Sequence, residues 1–229
     1  MQLKLTWQYA FAFMAFVFVF GQFHEIIHLV NARAVCGVPG TQFDFNLWSA
    51  SDSCANNPLV WMATLFGPVF SYIIMWAGFF MLLSGNKNLW SAGFVLVLGN
   101  LPFARIFTAA MGGGDETTVL KSLLMPGMGM LAVKVIGFAA VFALAFPPLY
   151  MTFKRLQSKN RLYMIIGFSV LPLLIMWVYE FKLLGFVLRS GFFATRHYLG
   201  IPDLVYYHTF LMLIITLAYS KRLLTARNN

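Results

Sequence analysis

The chain has 229 residues, 60% of them apolar and only 10% charged, with 25 phenylalanines and a net charge of +9. A typical soluble domain carries about 25% charged residues, so this composition excludes a soluble enzyme, a disordered chain, a disulfide-dense secreted domain and a collagen-like fibre. The basic residues lie in short clusters between apolar runs, which argues for membrane-protein loops and against nucleic acid as a partner.

A bilayer-spanning helix needs about 20 mostly apolar residues. Six runs qualify: roughly Trp7 to Val30, Leu59 to Leu83, Ser91 to Ala110, Gly129 to Tyr150, Leu162 to Phe181 and Leu204 to Tyr219. They predict an all-α membrane protein of about six transmembrane helices, one polytopic domain over 1–229. Ala32-Arg33-Ala34 after the first run resembles a signal-peptide cleavage site. That run is longer than a cleaved apolar segment and holds His24, Glu25 and His28, so it reads as a retained helix.

With the N-terminus inside, the inner segments hold Lys4, Lys87, Lys154, Arg155, Lys159, Arg161, Lys221, Arg222 and Arg227, and no acid. All seven acids (Glu25, Asp44, Asp52, Asp115, Glu116, Glu180, Asp203) and all four histidines (His24, His28, His197, His208) fall in or near the outer half. Basic inner loops orient a chain, so both termini are expected in the cytoplasm of a plasma or inner membrane. The polar chemistry then gathers toward the outer leaflet. Cys36 and Cys54 share the outer loop 32–58, 18 positions apart, where an oxidising exterior permits a disulfide. Alternation around Phe43, Phe45 and Leu47 in that loop predicts a short hairpin lying against the membrane.

His24-Glu25-Ile26-Ile27-His28 is an H-E-x-x-H motif within the first run. Residues at i and i+4 lie on one helix face, so the two imidazoles can share one zinc ion at about 2.0–2.1 Å each. Glu25 can take a proton from water activated by the metal. An ionisable residue inside an apolar helix is costly and is a functional candidate by default. Catalytic zinc keeps three protein ligands, and Asp115 is the candidate third, since Gly112-Gly113-Gly114 lets the backbone before it approach closely. Glu116 is its nearest rival, or a carboxylate that orients a histidine. His208, Glu180 and His197 are further candidates on the same side, with His208 also a candidate to hydrogen-bond substrate. Asn100 can bond a neighbouring helix or a substrate backbone, Pro102 kinks the third run, and Arg105 is expected to pair with Glu116 or Glu180, or to snorkel. Gly67-Pro68 allows the second run to pack closely on the first.

These residues resemble the site-2 protease family of intramembrane zinc metalloproteases. The match rests on His24-Glu25-Ile26-Ile27-His28, on Phe66-Gly67-Pro68, which is similar to the family's Gly-Pro turn, and on Asn100-Leu101-Pro102, which looks like the Asn and Pro before its third ligand. It covers roughly residues 10–120. The resemblance implies a three-helix zinc-binding core, a catalytic part at about 7–126 with accessory helices at about 127–220, and cleavage of a membrane protein or peptide in or beside the bilayer. Asp115 takes the place of the family's aspartate. Under this reading His24, His28 and Asp115 hold zinc, Glu25 is the general base, and Asn100, Glu116, Arg105 and His208 bind substrate or support the ligands. The alternatives are a zinc protease with Glu180 as third ligand, a membrane zinc hydrolase of lipid amides, and an inactive scaffold or metal-binding homologue. Zinc content and lipid-amide turnover discriminate them.

Overall fold

Thr6 starts the first helix: its hydroxyl accepts the Tyr9 amide at 3.2 Å, and α1 runs Trp7–Cys36 until Gly37, at φ 76°, closes it with a bond to the Arg33 carbonyl. The computed structural model describes residues 1–3, 5–125 and 127–224. After α1 come a two-stranded antiparallel hairpin, β1 Thr41–Asp44 and β2 Leu47–Ser49, then α2 Val60–Leu83, α3 Trp90–Gly99, α4 Pro102–Ala110, α5 Asp115–Leu124 and α6 Met130–Arg155. The chain continues as α7 Arg161–Met176, a π-helical stretch Trp177–Leu184, α8 Gly185–Arg189, α9 Asp203–Ala218 and α10 Ser220–Leu224.

Among the described residues, five helical segments are long and apolar enough to cross a membrane: Trp7–Cys36, Val60–Leu83, Lys87–Ala110, Met130–Arg155 and Arg161–Arg189. The protein is therefore mostly helical and of membrane type. The sixth expected run, α9, has 16 residues, about 24 Å of helix, short of a full hydrocarbon span. The third run is two helices rather than one. Pro102 disfavours helical geometry at the residue before it, and Leu101 takes φ 51°, ψ 53°, ending α3 and starting α4 on a new axis. Asp115 does not end that run; it begins α5 after the turn at 111–114, where Gly112 and Gly114 hold positive φ. The fifth run continues past Phe181 through the π-helical stretch.

α1 is the hub, packed on α2, α9 and α3, while α2 also meets α3, α5 and α6. Gly78 and Gly93 let α2 and α3 approach until a Cβ at either would strike the other's carbonyl. The main core is aromatic, with Tyr9, Phe13 and Phe94 around Phe168. Leu131, Val135, Ile136, Phe138 and Phe142 on α6 face outward, as a lipid-facing helix requires.

The two ends of the bundle are fastened differently. At one end the Met1 amine donates to the Arg155 carbonyl at 2.6 Å, Arg155 Nε to the Leu82 carbonyl at 2.7 Å, and Ser91 Oγ to the Leu223 carbonyl at 2.7 Å. Lys4 and Arg227 lie outside the described residues. At the other end a disulfide joins Cys36 to Cys54, with their Cα atoms 5.3 Å apart. The hairpin there lies over the helices. Gln42 donates its amide to the Gly200 carbonyl at 3.0 Å and accepts Arg196 Nε at 3.1 Å. Phe45 joins Leu29, Leu188, Ile201 and Val205 in a small apolar cluster.

Candidate metal centre

His24 and His28 leave α1 on one face, and their rings meet edge to face with centroids 4.6 Å apart. Their Nε2 atoms are 3.0 Å apart. α5 brings Asp115 Oδ2 to 3.0 Å from His24 Nε2 and 3.4 Å from His28 Nε2. His24, Glu25 and His28 form a group that can hold a metal ion, their ligand atoms all within 4.8 Å of one another. Asp115 Oδ2 lies within 3.4 Å of both imidazole nitrogens and is a candidate further donor. Atoms at the corners of a tetrahedron of radius about 2.0–2.1 Å lie about 3.3 Å apart, so the three separations suit one small cation.

The second nitrogens fix which ring edge faces the centre. His28 Nδ1 lies 2.8 Å from the Ala63 carbonyl, which only accepts. Nδ1 therefore carries the proton, and in the neutral ring Nε2 presents a lone pair. His24 Nδ1 lies 3.0 Å from Ser71 Oγ, one turn along α2 from Gly67. The Trp48 indole of β2 stacks on His28 at 4.8 Å and 14°. Gly67 faces the other side, and a Cβ there would overlap the imidazole. His28 is wholly buried between them. Burial by itself raises the Asp115 carboxyl, yet hydrogen bonds and charge from both histidines outweigh it and hold the group below the usual carboxylate range. One carboxylate and two imidazole nitrogens converging on a point can hold a cation among them.

Arg105 Nη1 donates to Glu116 Oε1 at 3.0 Å, and Tyr72 donates its hydroxyl to the same oxygen at 2.9 Å. Glu116 thus bonds Arg105 and Tyr72 rather than a histidine. The other end of the guanidinium, Nη2, stands 3.3 Å from His24 Nδ1. Arg105 is an internal strut, not a snorkelling residue.

His24 and Asp115 open onto a cavity of about 310 Å³, while His28 lies behind them. Glu25 lines it with Oε2 buried and without a hydrogen-bond partner among the described residues. Asn100 lines it too, while its amide nitrogen donates to the Leu96 carbonyl at 2.8 Å. Glu180 and His208 line the same cavity without any hydrogen bond to the trio. His197 is exposed and bonds Asp203 at 2.9 Å, so it stands apart. Residues from the accessory helices therefore help enclose the space.

Several participants escaped sequence reasoning. Ser71 had a signal: it is four residues after Gly67, so both share the α2 face turned to α1. Trp48, the Ala63 carbonyl and the reciprocal Gln22–Gln42 amide pair (2.8 and 3.1 Å) had none, because each contact depends on where the hairpin or α2 settles. No family model, no curated protein and no solved structure matches the chain.

Proposed function

We propose that this chain is a membrane-embedded zinc metalloprotease of the site-2 protease kind. It cleaves peptide bonds of membrane-associated proteins or peptides. The observation that carries the reading is the convergence of His24 Nε2, His28 Nε2 and Asp115 Oδ2 at 3.0–3.4 Å, beside a buried Glu25 oxygen without a partner among the described residues. Two imidazoles and one carboxylate suit zinc, with a fourth position left open. Zinc in such a site acts as a Lewis acid and lowers the pKa of water to about 7.

The chain's own residues supply the rest. Glu25 faces the cavity from the turn that carries both histidines, placed to accept a proton from water and return it to the leaving amine. The Ala63 carbonyl holds His28 in the tautomer that aims an Nε2 lone pair inward, while Ser71 and Arg105 fix the orientation of the His24 ring through Nδ1. Asn100 stands at the broken helix end, where its side-chain oxygen can accept from a substrate amide. The disulfide at the site's end of α1 supports an oxidising compartment on that side, with both termini on the cytoplasmic face. His28 is eight residues from Cys36, about 12 Å along the helix, which supports a site toward the outer leaflet.

The test is proteolysis by purified protein reconstituted with zinc, wild type beside Glu25→Gln. Cleavage of a membrane-peptide library by wild type alone, with equal zinc in both proteins, is the expected result. Cleavage that survives the substitution rejects the mechanism.

A further inference from the structure

We propose that the cavity wall formed by the π-helical stretch and α9 is a recognition subsite for a primary ammonium group of the substrate, with Glu180 as counter-charge and His208 in the same wall. The proposal rests on the zinc-protease reading and names the substrate chemistry of that same cavity.

Glu180 is only 4% exposed, yet its carboxyl forms no hydrogen bond or ion pair with any described residue. Its charged neighbours, Asp44 and Glu25, are acids. The nearby cations are committed elsewhere: Arg105 to Glu116 at 3.0 Å, Arg189 to Asp44 at 3.3 Å, and Lys182 to the Trp177 ring at 5.4 Å. A buried carboxylate without a counter-ion is costly. Here it also occupies a π-helical stretch, Trp177–Leu184, a rare geometry that occurs often at functional sites.

His208 is the second, independent observation. It is 8% exposed, lines the cavity, and its Nε2 is buried without a partner among the described residues. The rings of Phe18, Phe45 and Tyr179 hold the imidazole at centroid distances of 5.4, 5.1 and 5.5 Å. Packing sets the ring's orientation, and no described residue bonds to Nε2. A carboxylate offers only acceptors, and a primary ammonium offers three donors and no acceptor. The ammonium can be a chain N-terminus or a lysine side chain.

Three hydroxamates, each able to bind zinc, separate these sources in the zinc-loaded full-length protein. Norleucine hydroxamate carries a free α-amine, Nα-acetyl-lysine hydroxamate a side-chain amine, and Nα-acetyl-norleucine hydroxamate neither. Zinc content is measured first, and binding is read by calorimetry. At least one charged probe should bind wild type about 10-fold tighter than the neutral one, the effect of one charge-assisted hydrogen bond. Glu180→Gln should abolish that preference and leave the neutral probe unchanged, while Glu180→Asp keeps part of it. The probe that wins identifies the N-terminal or the lysine source. Equal binding of all three to wild type, or a preference that survives Glu180→Gln, overturns the subsite. A chain without zinc overturns the protease reading and the subsite with it, a result distinct from zinc-loaded protein that ignores the amine.

Discussion

Two walls of one cavity use the same residue types and differ in how their polar atoms are satisfied. On the wall from α1, α2 and α5, both imidazoles bond at each nitrogen, and Asp115 bonds between them. On the wall from the π-helical stretch and α9, Glu180 and His208 bond to nothing among the described residues. Under the proposed function, the difference separates two jobs. Side chains that must hold an ion are locked by supporting contacts before it arrives. Side chains that receive a ligand stay open, and burial makes their unmet acceptors an attraction for it.

The comparison breaks most visibly at Glu25. Glu25→Gln removes the proposed proton carrier and should lower peptide hydrolysis by about 10²–10⁴-fold without loss of zinc, read by turnover and metal content on one preparation. Next comes the covalent tie at the same end. Cys36→Ser with Cys54→Ser frees a loop of 18 positions and should lower stability by about 3 kcal/mol, seen as a lower midpoint in detergent thermal unfolding. Ser71→Ala sharpens the metal wall: it removes the nearer of two His24 Nδ1 contacts, the other being Arg105 Nη2, and should weaken zinc binding by about 10–100-fold, measured by competition with a chelator. Trp48→Ala should have the smallest effect. It takes away the stack on His28, about 0.5–1.5 kcal/mol, and should lower zinc affinity by about 10-fold or less in the same assay.

Much of the fold was legible because lipid imposes a simple rule: apolar runs of sufficient length become helices. The break inside the third run was partly legible from Pro102, but the left-handed Leu101 and the separate start of α5 were not, since they depend on how α4 packs against α6 and α7. In the site, the i, i+4 spacing was enough to set His24 and His28 on one face. That Asp115 meets them depends on the Gly112 and Gly114 turn, whose positive φ only the folded chain reveals. Arg105 had two acids to choose between, and it reaches Glu116, 11 positions on across the glycine turn. The supporting contacts from Trp48 and the Ala63 carbonyl come from distant parts of the chain that no periodicity links.

The central claim is that Asp115, and not Glu180, completes the metal centre. Zinc per chain, measured on purified wild type, Asp115→Ala and Glu180→Ala, tests it most directly. The account predicts about one zinc in wild type and in Glu180→Ala, and its loss in Asp115→Ala. Zinc retained in Asp115→Ala and lost in Glu180→Ala, or absent from wild type, would contradict it.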